Sequence, residues 1–153
     1  MGTRSTTRFI RKQGEELTQL VNIYQQYDGY ISGVGYELAQ FLLSKKVING
    51  YNMNQEDGEY ANGFDCLVAQ YIAEFKKSIG GFYIATPENK QEYNYEVIFD
   101  DDIYYGTDLP FKNEGFSSDD LITIKVYDWN DKLIFEGTPS ELLNFKEKWE
   151  EEE

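Results

Sequence analysis

Two segments in the second half of the chain alternate apolar and polar residues so regularly that the fold must contain a β-sheet. Residues 93–99 read YNYEVIF and residues 121–129 read LITIKVYDW, and neither contains glycine or proline. Because side chains point alternately to the two faces of a strand, each segment has one apolar face. Residues 132–136, KLIFE, follow a turn and predict the second strand of a hairpin. We therefore expect neighbouring strands that are buried on one face.

The rest of the chain predicts a further hairpin, one short strand and three helices. Residues 3–11 and 17–27 are typical of paired strands, with Gly14 between them. Helices are indicated by apolar residues at helical spacing, and for the last helix also by the capping pattern Thr138-Pro139-Ser140-Glu141. The expected elements are helices at 36–46, 63–80 and 138–149, a strand at 82–86 and a long loop at 47–61.

This order predicts a single α+β domain. Strands that follow one another through short connections favour a mostly antiparallel or mixed β-sheet, with about three helices packed on one face. A length of 153 residues is the usual size of one domain. We assign residues 1–149 to the domain and residues 150–153, which are all Glu, to an acidic C-terminal tail.

The absence of histidine limits the chemistry that the chain can perform. No His and a single Cys exclude Ser-His-Asp and Cys-His catalysis, a redox pair of cysteines and a thiolate zinc site. Asp100, Asp101 and Asp102, with Asp108, Asp119 and Asp120 nearby, lack the spacing of a calcium loop, and we interpret them as a solvated loop. We therefore assign no catalytic residue, no metal and no cofactor, and we expect a protein that is not an enzyme.

The charge is distributed unevenly along the chain. The net charge is −14, but residues 1–46 carry six cations and four anions, whereas the remaining residues carry 8 cations and 24 anions. All three arginines, Arg4, Arg8 and Arg11, lie in the first eleven residues. An acidic body repels nucleic-acid backbones, so we expect no general nucleic-acid binding. No apolar run is long enough for a signal peptide or a membrane helix, and we expect a cytoplasmic protein.

The N-terminal arginines form the first candidate binding feature. Arg4, Thr6 and Arg8 share one face of the predicted strand, and two guanidinium groups at this spacing could bind a phosphate, with Ser5 beside them. The alternative is that these arginines pair with the surplus carboxylates of the chain, which contributes little stability at an exposed site. Their position next to a glycine-rich loop favours binding.

The second candidate is that loop, residues 28–35, which we call the glycine loop. Glycines that lead into a helix leave backbone N–H groups available to an anion, and tyrosines can stack on a base. The alternative is an ordinary strand-to-helix turn whose glycines need positive φ angles. Together with Arg4, Ser5 and Arg8, the predicted ligand-binding residues are Tyr27, Asp28, Tyr30, Ser32, Gly33, Gly35 and Tyr36. Other aromatic residues, among them Tyr93 and Trp129, are interpreted as sheet, core or interface residues.

Three segments resemble a family of small bacteriophage and prophage accessory proteins. These proteins open with Met-Gly-Thr-Arg-Ser and carry a Tyr-x-Gln-x-Asp-Gly-Tyr-x-x-Gly-x-Gly loop before a Leu-Ala-x-Phe helix. The corresponding segments here are Gly2 to Ser5, Tyr24 to Gly35 and Leu38 to Phe41. Family members often carry a His in the loop, where this chain has Val34, so the departure favours binding over catalysis. The resemblance implies an accessory protein that counters host defence and acts in the host cytoplasm.

Two functions remain open from the sequence. The first is a binding protein, expected to be a homo-oligomer, that sequesters a small phosphorylated nucleotide signal, such as a cyclic oligonucleotide or an ADP-ribose derivative, without turnover. The second is an acidic inhibitor, or DNA mimic, that blocks a host defence protein or another nucleic-acid-binding protein. A metal-dependent phosphodiesterase at Asp100–Asp102 is disfavoured, since no catalytic constellation accompanies it.

Overall fold

Strand β1 (Ser5–Gln13) lies near the centre of a six-stranded sheet in the computed structural model, which describes residues 2–50, 59–106 and 115–145. The other elements follow in chain order: β2 (Glu16–Gln25), α1 (Tyr36–Leu43), β3 (Lys46–Ile48), β4 (Tyr60–Asn62), α2 (Phe64–Phe75), β5 (Phe82–Ala85), β6 (Tyr93–Asp100), α3 (Asp101–Gly106), β7 (Phe116–Ser117), α4 (Ser118–Leu121), β8 (Ile122–Asp128), β9 (Leu133–Gly137) and α5 (Pro139–Leu143). A π-helical turn at Ile31–Gly35 precedes α1.

The large sheet has the strand order β5-β2-β1-β6-β8-β9. Strands β1 and β6 are parallel, and every other neighbouring pair in this sheet is antiparallel. A second sheet has the order β4-β3-β7, with β4 parallel and β7 antiparallel to β3. The predicted α+β class, with a mixed sheet and a single domain, is confirmed.

The core lies between one face of the large sheet and the helices. Along β1 the side chain of Phe9 is fully buried, and its ring packs against Phe64 and Tyr71 of α2. Leu38 of α1 and Leu142 of α5 enter the same cluster. The opposite face, which we call the outer face, presents polar side chains in register across the central strands: Thr6, Arg8, Asn22, Asn94, Glu96, Lys125 and Tyr127.

The predicted start of the last helix is confirmed. Thr138 Oγ1 accepts a hydrogen bond from the N–H of Glu141 at 3.2 Å, and Glu141 Oε1 accepts one from the N–H of Thr138 at 2.9 Å. This reciprocal pair is a capping box, with Pro139 at the first helical position. The rest of the predicted helix, residues 146–149, and the acidic tail at 150–153 lie outside the described residues.

Four sequence interpretations are wrong in detail. The helix predicted at 36–46 ends at Leu43, because Ser44 caps it and Lys46 already begins β3. The predicted loop at 47–61 contributes to the strands β3 and β4, with residues 51–58 outside the described part. Helix α2 ends at Phe75, because Lys76 leaves the helical region of φ and ψ before Gly80 is reached. Asp101 is not part of a solvated loop: it begins α3 and is buried, with 3% of its surface exposed.

We expect Phe9→Ala to lower the free energy of unfolding by about 3–5 kcal/mol, because it leaves a cavity against two aromatic rings. Urea denaturation followed by circular dichroism measures this loss. The control is Leu17→Ala in β2, where 58% of the side chain is already exposed and the change should stay below about 0.5 kcal/mol. Equal losses in the two variants would contradict the assignment of the core face.

Candidate functional site

An open cleft of about 740 Å³ lies where β6 begins and the β8–β9 hairpin turns, and we call it the aromatic cleft. Its volume lies in the range of small-molecule sites. Its walls come from four separate parts of the chain: Ile31, Glu92, Tyr93, Asp128, Trp129, Asn130, Lys132, Leu133, Ile134 and Phe145. The cleft thus joins the glycine loop to the aromatic end of the sheet.

The apolar part of the aromatic cleft is continuous with the core. Ile31, in the π-helical turn, is 2% exposed, and Tyr93, Ile134 and Phe145 pack against the core cluster. The ring of Phe145 meets that of Phe135 edge-on, with centroids 5.0 Å apart. Because these side chains are held by core packing, the apolar wall is formed before any ligand arrives, which lowers the entropic cost of binding.

Trp129 gives the aromatic cleft an accessible ring. It follows β8 in the hairpin turn, and 56% of its surface is exposed. The Lys90 ammonium lies 4.9 Å from the centroid of its indole and also pairs with Asp131 at 3.3 Å. A cation over a tryptophan ring is an attractive contact, so Lys90 favours the observed orientation of the Trp129 ring.

The two carboxylates of the aromatic cleft are engaged by backbone N–H groups. Asp128 Oδ1 accepts from the N–H of Asn130 at 2.8 Å and from that of Lys132 at 3.0 Å, which closes the hairpin turn. Glu92 Oε1 accepts from the N–H of Arg4 at 3.5 Å, a long bond. Within the described residues, neither the Lys132 ammonium nor the Arg4 guanidinium forms an ion pair. Lys132, which lines the cleft, therefore remains available to an anionic ligand there, and Arg4 is the cation next to Glu92 of the cleft wall.

The glycine loop folds back on itself. The N–H of Gly33 donates to the carbonyl of Tyr30 at 2.9 Å, and the N–H of Val34 donates to the carbonyl of Asp28 at 2.7 Å. The N–H of Gly29 donates to the carbonyl of Thr3 at 3.0 Å, which attaches the loop to the residues before β1. The backbone donor that Gly33 was predicted to offer a ligand is thus used within the loop.

The glycines of the loop are required by close approach rather than by positive φ. None of Gly29, Gly33 and Gly35 has a positive φ, whereas Asp28 has a φ of 57°. A Cβ on Gly33 would clash with the carbonyl oxygen of Asp28, and one on Gly29 would lie 2.8 Å from the Cβ of Ser5. The interpretation that these glycines are needed for positive φ angles is therefore wrong, because what they allow is the close approach of neighbouring atoms. The left-handed backbone of Asp28 and the π-helical turn at Ile31–Gly35 are both conformations that occur often at functional sites.

The predicted loop side chains are separated by the fold. The Tyr30 hydroxyl donates to Asp28 Oδ1 at 2.8 Å, and the carboxylate raises the pKa of Tyr30. The Tyr36 hydroxyl accepts from the Gln40 side chain at 3.0 Å, one turn along α1. Tyr27 is 62% exposed and lies beside Gly2 and Gly81, and Ser32 is exposed in the π-helical turn. Of the predicted loop residues, none lines the aromatic cleft, which Ile31 reaches instead.

The three arginines have different surroundings. Arg4 is exposed next to Glu92 and Tyr93, whose backbone N–H donates to the Arg4 carbonyl at 3.3 Å. Arg8 lies on the outer face and donates from Nε to the Pro87 carbonyl at 3.2 Å. Arg11 Nη1 donates to both carboxylate oxygens of Asp101, at 2.9 Å and 3.1 Å, and Arg11 Nη2 pairs with the Asp65 carboxylate. Arg8 and Arg11 are thus bonded to other groups of the protein, whereas Arg4 forms no ion pair within the described residues, and a phosphate site shared by Arg4 and Arg8 stays a prediction.

Ser5 is placed on the core side of β1. Its side chain is fully buried, and its hydroxyl has no hydrogen-bond partner among the described residues; the same holds for Thr7. The glycine loop lies on this same side, because Tyr95 in the neighbouring strand donates to the Gly29 carbonyl at 2.7 Å. Arg8 and the glycine loop were predicted to lie side by side, but they lie on opposite faces of the sheet, with Arg8 on the outer face and the loop on the core side.

The aspartates considered as a cation site have other partners. Asp101 accepts from Arg11 and from Gln13, and Asp102 Oδ2 accepts from the N–H of Gly14 at 2.8 Å. Asp119 accepts from the Ser140 N–H at 2.9 Å, and Asp108 lies outside the described residues. In the part of the chain that the structure describes, no three His, Cys, Asp or Glu side chains are grouped to hold a metal ion.

Sequence reasoning did not assign Glu92, Trp129 or Lys132 to a site. The one available signal is a tryptophan in the turn at 129–132, where a large apolar side chain is unusual. This turn lies near the glycine loop only because β6 pairs with both β1 and β8. No local sequence pattern predicts these two pairings.

Comparison with protein-family models, curated proteins and solved structures finds no significant match for this chain. Within the described ranges, none of the helices has the length and apolar character needed to cross a membrane.

We expect Gly33→Ala to lower the free energy of unfolding by about 1–3 kcal/mol, because the added methyl group must displace the Asp28 backbone. Thermal unfolding measures the loss. Gly106→Ala is the matched control, since a Cβ there meets nothing within 4 Å and the φ of Gly106 is not positive. An unchanged Gly33→Ala protein would contradict the close approach.

Proposed function

We propose that this chain is a phage accessory protein that binds and sequesters a small phosphorylated nucleotide signal without turning it over. The observation that supports the proposal best is the aromatic cleft, which combines an exposed indole with Lys132, a cation that forms no ion pair in the described part of the chain. Arg4, which also forms no ion pair there, is next to Glu92 of the cleft wall. The phage context and the role against host defence rest on the family resemblance of the N-terminal segments.

The aromatic cleft suits a base joined to a phosphate. A base stacks on the ring of Trp129, with the apolar wall formed by Ile31 and Tyr93 beneath it, and stacking of this kind is tolerant of base identity. The phosphate lies toward the Lys132 ammonium, on the side of Arg4, and away from the carboxylates of Asp128 and Glu92, which accept backbone N–H groups. The chain contains no His that could act as a general base, which favours binding without turnover.

Isothermal titration calorimetry against cyclic dinucleotides, cyclic trinucleotides and ADP-ribose isomers tests the proposal. We expect at least one of these ligands to bind and to be recovered unchanged by chromatography after incubation. The Trp129→Ala variant should bind about 5-fold to 150-fold more weakly, because stacking on an aromatic ring contributes about 1–3 kcal/mol per base. Lys132→Gln should weaken binding and reduce its salt dependence.

The matched control is Tyr105→Ala, which removes an aromatic side chain that is 61% exposed in α3 and does not line the cleft. Its affinity should equal that of the original chain. An absence of heat with every ligand at concentrations well above micromolar, or an equal loss in both variants, would overturn the proposed site. Conversion of the ligand to a product would overturn sequestration.

The alternative function is inhibition of a basic, nucleic-acid-binding host protein by the acidic surface. It is favoured by the excess of carboxylates, since only Asp65, Asp100, Asp101 and Asp131 take part in ion pairs within the described residues. Such a complex should weaken steeply between low and high salt in a pull-down from host lysate. Its affinity should also be unchanged in Trp129→Ala, which separates it from the first proposal.

A further inference from the structure

A second concavity, of about 230 Å³, lies on the outer face of the large sheet, and we call it the outer pocket. Its floor is formed by side chains of the three central strands β1, β6 and β8, which lie side by side in register. Its rim comes from the segment before β6 and from the β8–β9 turn. The lining residues are Arg8, Glu88, Lys90, Asn94, Glu96, Tyr127 and Asp131.

The floor of the outer pocket is rigidly held. Asn94, which is 4% exposed, accepts from the Thr6 hydroxyl at 2.6 Å and from the Gln91 N–H at 2.8 Å, and it donates to the Gln91 carbonyl at 2.8 Å. Asn22 donates to the carbonyls of Thr86 at 2.9 Å and Asn89 at 3.2 Å. These bonds fix the segment that forms the rim, so the pocket exists without a ligand.

Arg8 is fixed at the floor but keeps unused donors. Its guanidinium donates to the carbonyls of Pro87 and Asn89 and to the Thr6 hydroxyl. A guanidinium has five N–H donors, so two remain after these three bonds. Burial lowers the pKa of Arg8, and the carboxylates of Glu96 and Asp131 oppose that shift. Within the described residues no carboxylate forms an ion pair with Arg8.

Two of the three carboxylates of the outer pocket form no ion pair within the described residues. Glu96 lies beside Arg8 in the parallel β1–β6 register and beside Lys125 in the antiparallel β6–β8 register, yet it forms no ion pair with any described residue. Glu88 likewise forms none, whereas Asp131 pairs with Lys90. The pocket therefore holds a cation and a carboxylate side by side, each able to accept an external partner of opposite charge.

We propose that the outer pocket binds a small zwitterion of the α-amino acid class. The ligand carboxylate accepts the two unused N–H groups of Arg8, and the ligand ammonium donates to Glu96. A phosphate is disfavoured, because three carboxylates line a space with two cations. A simple amine is disfavoured too, because it would leave the Arg8 donors without an acceptor. A ligand that carries both charges satisfies both partners at once.

The test follows binding by NMR on the full ¹⁵N-labelled chain, using the Nε–H signal of Arg8 and the side-chain amide of Asn94. Each of the twenty common L-amino acids is added up to about 10 mM, where a site with a millimolar dissociation constant is largely occupied. We expect at least one to give saturable shifts at both signals. Its N-acetyl derivative and its α-amide, which each remove one charge, should bind at least about tenfold more weakly.

The Glu96→Gln variant keeps the shape of the pocket and removes the partner of the ammonium, so it should also bind at least about tenfold more weakly. The control is Glu136→Gln, on the same face next to Lys125 but outside the pocket, which should bind as the original chain does. Lys132→Gln should leave amino-acid binding intact, because Lys132 lines the aromatic cleft and not the outer pocket, and this separates the two sites. No saturable shift with any of the twenty, equal binding of the single-charge derivatives, or equal loss in both glutamine variants would overturn the proposal.

Discussion

The pairing of β1 with β2 on one side and β6 on the other is the constraint on which the rest of the molecule depends. Because side chains alternate along β1, Phe9 enters the core while Arg8 next to it enters the outer face. The parallel partner β6 brings Tyr93 and Glu92 to the same end as Arg4, and β8 brings the hairpin turn beside them. The aromatic cleft and the outer pocket are therefore both consequences of one strand arrangement.

The same alternation explains why the arginines of the first eleven residues have different surroundings, since Arg8 and Arg11, an odd number of residues apart, lie on opposite faces of β1. Their spacing places Arg4 before the strand, Arg8 on the outer face and Arg11 on the core side near Asp101. Arg11 and Asp101 neutralise each other where both are largely removed from water, and the Phe64 ring lies 5.7 Å from the guanidinium. The three arginines thus have three different roles: Arg11 forms a structural ion pair, Arg8 is a hydrogen-bonded donor on the outer face, and Arg4 is an exposed cation.

The features predicted from the sequence are those that depend on local patterns. Alternation indicates β6 and β8, helical spacing indicates α1 and α2, and the capping box marks the start of α5. The short strands β3 and β7 escape prediction, because two or three residues carry no periodicity and exist only through pairing. Asp101 was interpreted as solvated, because its partner Arg11 is 90 positions away in the sequence. The aromatic cleft could not be predicted for the same reason, since residues from Ile31 to Phe145 line it.

The net negative charge of the chain does not determine the charge of the ligand that each concavity binds. That charge depends on which groups the carboxylates of each concavity already contact. In the aromatic cleft, Asp128 and Glu92 accept backbone N–H groups, and Lys132 is the cation of the lining that the proposed ligand meets. In the outer pocket, Glu96 has no such partner, so its charge is as available as that of Arg8. Lys90 lies between the two sites, over the Trp129 ring and in the lining of the outer pocket. A ligand that moved Lys90 from either side would change the other site, because the same ammonium restrains both walls.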